Sequence, residues 1–299
     1  NATEYAAILN EGSVASGGPV IFDNLLGLGS GTDWQKEVLR TDAPIIQNNF
    51  SARGGSESVS YYLATGYTSQ EGILYGEDKS FFDRFNFTTN VDVDLTDKLT
   101  ARVYNTYSNE KGSGLGDVLF NALNMSPTTP VYDANGNFGI SNTITQEVKN
   151  PLAQISNSYN ESNVNKITGK VELEYDVFKD FSITGRLGYN YVDIKDKSFS
   201  PLVYYGAGHN QTNALPDGSP IVSVDPATGE STQTHNRVNE GSVEYFRYNF
   251  EVLGNYSFSV DNEHNFSVFA GFSMTKNTGQ GLYGSAVDVP FNSWKFADI

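Results

Sequence analysis

The sequence has 299 residues, of which 13% are aromatic, 18% are charged and 29 are glycine, a composition that favours strands and turns over helices. The formal net charge of −16 argues against a nucleic-acid-binding protein, which would present a basic face, and the absence of cysteine excludes disulfides and thiolate chemistry. No apolar run approaches the roughly 20 residues of a transmembrane helix. The mean hydropathy of −0.39 is still compatible with membrane strands, because only every second residue of such a strand faces lipid.

Alternation of apolar and polar residues with a period of two predicts about eight strands. The clearest runs from Phe85 to Leu95, where phenylalanine, valine and leucine fall on one face and asparagine and aspartate on the other. The clear runs have about the 9–11 residues that a tilted strand needs to cross a bilayer. In chain order, the predicted strands lie near residues 45–53, 57–67, 85–95, 99–109, 166–175, 181–191, 246–258 and 265–275.

Short and long connections alternate between these strands. The short ones are hairpin-type joins at 54–55, 96–98, 177–180 and 261–264, and the long ones cover about 68–80, 110–162 and 193–240. Outer-membrane barrels have this arrangement, with tight periplasmic turns and long extracellular loops. A compact soluble domain rarely contains structureless loops longer than about 15 residues. The pattern therefore predicts an all-β fold, a segment of an antiparallel transmembrane β-barrel.

Two further patterns fit a barrel. Aromatic residues gather near strand ends, as at Tyr189 and Tyr191 or Tyr245 and Phe246, which is typical of interfacial girdles, although the core of a β-sandwich would also contain such residues. The polar face of each strand would line a wet lumen in a barrel and would simply meet solvent in a sandwich. The residues that we predict to face the lumen are Arg84, Asn86, Asn90, Asp92, Lys166, Lys170, Glu172, Arg186 and Arg247.

No motif predicts catalysis, a metal site or a cofactor. His209, His235 and His264 lie in predicted loops or turns without metal-ligand spacing. Residues 133–137 and 225–230 faintly resemble calcium loops, but they lack the twelve-residue arrangement, and aspartate, asparagine and glycine are also the residues that turns require. The glycine-rich residues 112–116 lack the Lys-Ser/Thr of a phosphate-binding loop. We therefore predict a protein that is not an enzyme.

A series of short motifs follows one another in the first third of the chain. It consists of a TDW segment, a glycine pair before a tyrosine-rich strand, a Gly-Tyr pair, a Gln-x-Gly loop and an F-x-R-x-N strand. These motifs are Thr32-Asp33-Trp34, Gly54-Gly55, Tyr61-Tyr62, Gly66-Tyr67, Gln70 with Gly72, and Phe82 with Arg84 and Asn86. The ordered series resembles the SusC/RagA family of TonB-dependent outer-membrane transporters of Bacteroidetes. From Glu110 onwards the likeness is mainly the succession of strands with alternating short and long connections. In addition, a loop reading SPTTPVYDANGNFG resembles the family's first long extracellular loop.

The resemblance implies a barrel of about 22 strands in outer-membrane lipid, filled by an N-terminal plug domain. It also implies a SusD-like lipoprotein lid, energy supplied through TonB, and oligosaccharides or peptides as substrates. We expect residues 1–43 to be a loop or helical lead-in and residues 44–299 to be part of the barrel. The plug domain and the TonB box would lie outside this sequence, so that these residues alone would transport nothing.

The long loops are the predicted place for ligand contact, because an aromatic ring offers contact area at low entropic cost. The candidates are Tyr132, Tyr159, Tyr204 and Tyr205, and packing of loops against one another is the alternative role for them. Two other functions stay open at this point. A secreted soluble β-sandwich, such as an adhesin or a carbohydrate-binding module, would bury the aromatic residues between two sheets. A passive porin would share the barrel without a plug.

Overall fold

A computed structural model describes residues 1–76, 78–140, 147–261 and 263–298. Eight strands form one antiparallel sheet, in which each strand pairs with the next one along the chain, while two short strands in a connection form a separate hairpin. The sheet consists of β1 (Ile45–Gly55), β2 (Val59–Glu71), β3 (Phe81–Thr96), β4 (Leu99–Ser113), β5 (Tyr159–Phe178), β6 (Phe181–Ser200), β9 (Arg237–Val260) and β10 (His264–Val287), and the separate hairpin of β7 (Val222–Val224) and β8 (Ser231–Gln233).

The helices are short and lie before the sheet or in its connections. They are α1 (Ala2–Ala15), α2 (Trp34–Val38), α3 (Val118–Asn124) and α4 (Pro151–Ser156), with single 3-10 turns at Leu26–Leu28 and Trp294–Phe296. The side chain of Asn1 caps α1 and that of Asp33 caps α2, so that each of these helices begins at a residue that satisfies a free backbone N–H group. Among the described residues, no helix is both long enough and apolar enough to span a membrane.

The prediction of about eight antiparallel strands is confirmed, but four of the strands are much longer than predicted. β5 and β6 have 20 residues each, and β9 and β10 have 24 each. Residues 159–162, 193–200 and 237–240, which the sequence assigned to the loops 110–162 and 193–240, are therefore strand. The alternation fades there because polar residues occupy both faces, as at Glu161, Ser162 and Asn163 of β5. The hairpin of β7 and β8 was not predicted.

The short turns lie at one end of the sheet and the long connections at the other. The short-turn end holds residues 56–58, 97–98, 179–180 and 261–263, of which residue 262 is outside the described part of the chain. The long-loop end holds the connections 72–80, 114–158 and 201–236, together with residues 1–44, which precede β1. The predicted sorting of loop lengths is confirmed. The glycine pair Gly54-Gly55 was misplaced, since it ends β1, and Gly55 pairs with Ser60.

The pairing register assigns each strand residue to one of two faces, because directly opposed residues of antiparallel strands point to the same side. We call these the apolar face and the polar face. Large side chains on the apolar face are open to the surroundings: Leu173 is 48% exposed and Phe272 is 61% exposed. No second sheet of the described residues packs on this face, as the two stacked sheets of a β-sandwich would require. Central rows of the apolar face are Val91–Val103–Val171–Leu187–Phe250 and Val93–Ala101–Leu173–Gly185–Val252.

Two aromatic girdles border the apolar face. The lower girdle, at the short-turn end, consists of Phe178, Phe181, Tyr256, Phe258 and Phe266, whose neighbouring rings lie 5.3 to 6.5 Å apart. The upper girdle is the row Phe87–Tyr107–Ile167–Tyr191–Phe246. From Phe181 to Tyr191, β6 spans about 33 Å along the strand, or about 25 Å of depth at a tilt of about 40°. This depth equals the apolar band of an outer-membrane barrel.

A small hydrophobic core lies at the long-loop end and joins the N-terminal segment to the connection between β4 and β5. Its buried members come from α2, α3, α4 and the intervening chain: Trp34, Val38, Val118, Ala122, Met125, Val148 and Ile155. Trp34 is 3% exposed, and its indole N–H donates to the carbonyl oxygen of Ser126 at 2.9 Å. The hydroxyl of Thr32 donates to the carbonyl oxygen of Thr129 at 2.7 Å. The TDW motif therefore anchors residues 126–129, and we call this assembly the loop layer.

Candidate functional site

A row of charges of alternating sign crosses the polar face. The register places Asp92, Arg102, Glu172, Arg186 and Glu251 side by side on five consecutive strands of the sheet. We call this set the charge row. The two arginines alternate with the three carboxylates, so that each arginine has a carboxylate on both sides. Such an order removes like-charge contacts between directly opposed residues.

Glu172 is the centre of the charge row. Its carboxylate accepts hydrogen bonds from Arg102 Nη1 at 2.9 Å and from Arg186 Nε at 2.7 Å, and Lys170 Nζ lies 3.4 Å away. Arg186 Nη1 reaches Glu251 at 3.0 Å. Glu172 is only 6% exposed, so that its charge depends on these partners. A buried carboxylate without a cation would be strongly unfavourable.

The rest of the charge row is held by neighbouring polar groups. Arg102 Nη1 also contacts Glu174 at 2.6 Å. At the end of the row, the hydroxyl of Tyr104 donates to Asp92 at 2.7 Å, and Lys170 Nζ lies 4.7 Å from the centroid of the Tyr104 ring. These contacts join residues from β3, β4, β5, β6 and β9 into one network.

The charge row lies midway between the two girdles. On β6, Arg186 is halfway from Phe181 in the lower girdle to Tyr191 in the upper girdle. Its immediate neighbours in the strand, Gly185 and Leu187, belong to the apolar face. An arginine at this depth on a lipid-facing surface would cost about 2–4 kcal/mol. At this depth the charge row is therefore unfavourable on a lipid-facing surface, and the apolar face is the one suited to lipid.

All nine residues predicted to face the lumen lie on the polar face, according to the register. Glu172, Arg186 and Lys170 are in direct contact, and Lys166 Nζ lies 3.7 Å from Glu110. Arg84 is paired with Glu110 in the register. The other predicted residues, Asn86, Asn90, Asp92 and Arg247, are distributed over the same face. That this face lines a lumen stays a prediction.

Sequence reasoning missed two members of the charge row, Arg102 and Glu251. Arg102 lies in a run with weak alternation, where threonine, alanine and asparagine blur the two faces. Glu251 alternates clearly with Phe250 and Val252, but its importance depends on Arg186, which is 65 residues away in the chain. The sequence did contain one signal, since both residues alternate with residues of the apolar face and therefore belong to the polar face. The partners themselves follow only from the register.

The four predicted ligand-contacting tyrosines do not gather at one site, although Tyr159 and Tyr205 share a cavity. Tyr132 is 53% exposed and stacks on Phe138, with ring centroids 5.2 Å apart. Tyr204 lies in the connection after β6. Tyr159 was predicted to lie in a loop, and this is wrong. It is the first residue of β5, because that strand extends beyond the upper girdle. Contact of any of the four with a ligand stays a prediction.

Tyr159 and Tyr205 both line one cavity of about 360 Å³ in the long-loop end. The Tyr159 ring already has Trp294 stacked on it at 5.9 Å and Lys79 Nζ 3.8 Å from its centroid. Tyr205 has Lys149 Nζ at 4.9 Å and the His209 ring at 5.8 Å. The two rings thus pack mainly against other parts of the loops.

Burial controls the protonation of the groups around Tyr205. It raises the pKa of the Tyr205 hydroxyl to about 12, and it lowers the pKa of the Lys149 ammonium group. Burial also lowers the pKa of His209, whose Nδ1 accepts from the backbone N–H of Gln211 at 3.1 Å. Tyr205 and His209 are therefore neutral at pH 7.

The aspartate-rich connections form turns. The carboxylate of Asp133 accepts from the backbone N–H groups of Asn135 at 2.8 Å and Asn137 at 2.9 Å. Hydrogen bonds from backbone N–H groups lower the pKa of the Asp133 carboxyl, and the bond from Asn137 has the largest effect. Asp225 accepts in the same way from the N–H of Ala227 at 2.7 Å. No group of three or more metal-ligating side chains occurs in the described residues.

Comparisons with known proteins identify relatives of the chain. No protein-family model matches it. TonB-dependent receptor P3 of Formosa agariphila is 25% identical over 280 residues, which are 88% of this chain and 26% of that protein. TonB-dependent receptor SusC of Bacteroides thetaiotaomicron is 28% identical over 167 residues, or 48% of this chain and 16% of that protein. The chain thus spans about a quarter of the length of the first of these relatives.

A solved structure, that of the RagAB peptide transporter, has the same fold. It superimposes with a TM-score of 0.67 over 89% of this chain and 28% of the matched chain, at 17% sequence identity. At this identity the likeness concerns the fold alone. Together with the antiparallel sheet of eight strands, it shows that the fold is a segment of an antiparallel transmembrane β-barrel.

Proposed function

Because the chain belongs to the SusC/RagA-type TonB-dependent receptors, we propose that it forms part of the wall of an outer-membrane nutrient importer. The charge row is the observation that carries this proposal. It lies at the middle depth of the apolar band, on the side opposite to Val171 and Leu187. Only a wall with lipid on one side and water on the other satisfies both faces.

In this proposal the polar face lines the interior of the barrel. The nine residues predicted for that role, from Arg84 to Arg247, would then meet water, substrate or the plug domain. The alternating charges leave the middle of this wall close to neutral, since Arg102 and Arg186 are each shared between two carboxylates. A wall of this kind is hydrated without strongly attracting one sign of charge.

The partners of the whole protein follow from the family. We propose that TonB acts through parts of the protein other than this chain, and that a SusD-like lipoprotein covers the long-loop end. The exposed apolar residues Leu119, Phe120 and Leu123 of α3 lie at that end and would suit a protein contact. Substrates would be oligosaccharides or peptides, and Tyr132, which is 53% exposed, and Tyr204 are candidate contacts for them in the loops. The relatives are receptors by name, which fits a role other than catalysis.

Uptake in the native host tests this proposal. A strain without the full-length protein should lose growth on the oligosaccharides or peptides that the protein imports, and the wild-type gene should restore it. Deletion of tonB should abolish the same uptake. Uptake that persists without TonB would indicate a passive porin. Recovery of the full-length protein from the medium or periplasm without detergent would contradict the outer-membrane assignment altogether.

A further inference from the structure

Two tyrosines on the polar face lie flat on the sheet near its long-loop end. Tyr283 of β10 is 74% exposed and Tyr245 of β9 is 53% exposed. The register pairs Tyr283 with Gly241 and Tyr245 with Gly279. Each ring therefore has a residue without a side chain directly across from it. On the same strand face, Gly281 separates Tyr283 from Gly279.

The glycines determine how the rings lie. A Cβ atom on Gly241 would come within 3.0 Å of Tyr283 Cδ1, and one on Gly281 would come within 3.2 Å of Tyr283 Cε2. The two edges of the Tyr283 ring thus cover two glycines. A Cβ atom on Gly279 would come within 3.1 Å of Tyr245 Cδ1. Glycine in a strand often marks such a close approach, and here it leaves one whole face of each ring open.

The rings belong to a continuous surface that extends from the long-loop end of the sheet towards the upper girdle. Val243 lies between them, since it is paired with Gly281, and Ile194 is paired with Val243 on the next strand. From the level of Tyr283 to the level of Tyr245 the surface extends about 13 Å along the strands. Tyr245 is next to Phe246 of the upper girdle, so that the surface ends at the level where the apolar band begins.

Polar groups surround the Tyr283 end of this surface. A cavity of about 530 Å³ is lined by Tyr283, Gly241, Asp196, Ser162, Asn239 and Ser285, among others. Asp196 is exposed, and no hydrogen bond or ion pair joins its side chain to another described residue. On the polar face the lining thus provides hydroxyl groups, amide groups and the Asp196 carboxylate beside an open aromatic face. Glu161, Lys197 and Glu240 also line the cavity, but the register assigns them to the opposite face. This combination suits a flat apolar ring that carries hydroxyl groups at its edge.

We infer that Tyr283 and Tyr245 form a stacking site for the pyranose rings of a neutral oligosaccharide, with Asp196 accepting hydrogen bonds from its hydroxyl groups. The inference rests on the proposed function, since the polar face must line the interior for a substrate to reach both rings. A peptide would need partners for its backbone amide groups and its charged ends. The polar side of the lining contributes one free carboxylate and no cation, since Lys197, which also lines the cavity, belongs to the opposite face of the sheet and pairs there with Glu240 at 3.2 Å.

The test uses the full-length receptor, purified from outer membranes in detergent. Binding of maltoheptaose, cellohexaose and laminarihexaose is measured by calorimetry, with a mixture of neutral tripeptides as the alternative probe. We expect at least one oligosaccharide to bind, and Tyr283→Ala to weaken that binding about tenfold, as loss of a stacking ring does elsewhere. Gly241→Val keeps the tyrosine but removes the space below its ring, and it should weaken binding to a similar extent.

Leu282→Ala is the matched control, because Leu282 neighbours Tyr283, is 76% exposed and lies on the opposite face. It should leave the affinity unchanged, and heat-modifiable migration in gels would show that each variant is a folded barrel. Wild-type affinity in a folded Tyr283→Ala variant would overturn the inference, as would binding of the tripeptides alone. If the receptor instead proved soluble without detergent, the proposed function would fail first.

Discussion

Between the two girdles, the large apolar side chains point outward and stay exposed, whereas in the loop layer they are buried against one another. Leu173 in the band is 48% exposed, but Trp34 and Val38 in the loop layer are 3% and 0% exposed. The charges show the reverse order. Glu172 in the band is 6% exposed, while Asp133 and Asp225 in the connections lie at the surface.

The two regions are thus organised in opposite ways. The loop layer has the organisation of a small soluble domain, in which burial of apolar surface in the interior drives packing. The band is inverted, because its large apolar side chains are exposed and its charges are paired; the proposed wall, with lipid on the apolar face and the charges inward, accounts for this order. Substitutions that place a charge or remove a large side chain should therefore have different effects in the two regions.

The largest expected effect is that of Trp34→Ala in the loop layer. The change removes a buried ring and leaves the carbonyl oxygen of Ser126 without its indole donor, which should destabilise the layer by about 3–5 kcal/mol. Because the sheet makes few contacts with this core, the barrel should stay folded. Limited proteolysis of the full-length protein should then cut residues 114–158 much faster, while gel migration of the barrel is unchanged.

Leu123→Ala is the control for this variant, because Leu123 lies on α3 but is 57% exposed. It should not change the rate of proteolysis measurably. If Trp34→Ala were as resistant as Leu123→Ala, residues 1–44 would not anchor the loop layer. If it unfolded the barrel as well, the two regions would fold as one unit.

A charge on the apolar face should have the next largest effect. Val171→Arg places a guanidinium group at the middle of the band, where lipid exposure costs about 2–4 kcal/mol. Unfolding of the full-length barrel by urea in lipid vesicles measures this cost. Thr168→Arg puts the same side chain on the polar face of the same strand and should change stability by less than about 1 kcal/mol. Equal costs for the two variants would mean that both faces meet the same medium.

Much of the band could be predicted from the sequence because its signal is local. Alternation from Phe85 to Leu95 depends on neighbouring residues only, and the tight turn at Asp97-Lys98 follows directly. The upper parts of β5, β6, β9 and β10 could not be predicted in this way. Water meets both of their faces there, so that polar residues occupy both and the period of two disappears.

The loop layer and the details of the polar face depend on contacts between distant residues. Trp34 and Ser126 are 92 residues apart, and no pattern within one segment brings them together. The same holds for Arg186 and Glu251. Tyr283 was not among the predicted ligand contacts because the site depends on Gly241, a strand partner that only the register provides. Tyr159 was misplaced in a loop for the opposite reason, since its strand continues beyond the alternating run.

The smallest expected effect is that of Glu172→Gln in the charge row. The change keeps the shape but removes the charge shared by Arg102 and Arg186, which should cost about 1–3 kcal/mol in urea unfolding of the full-length barrel. Glu161→Gln on the same strand removes a pair with Lys111 that is 40–45% exposed, and it should cost no more than about 1 kcal/mol. If the two variants were equally stable, water would already screen the charge row fully. A larger cost at Glu172 would instead show that this row, in spite of its wet surroundings, holds five strands of the wall together through one carboxylate.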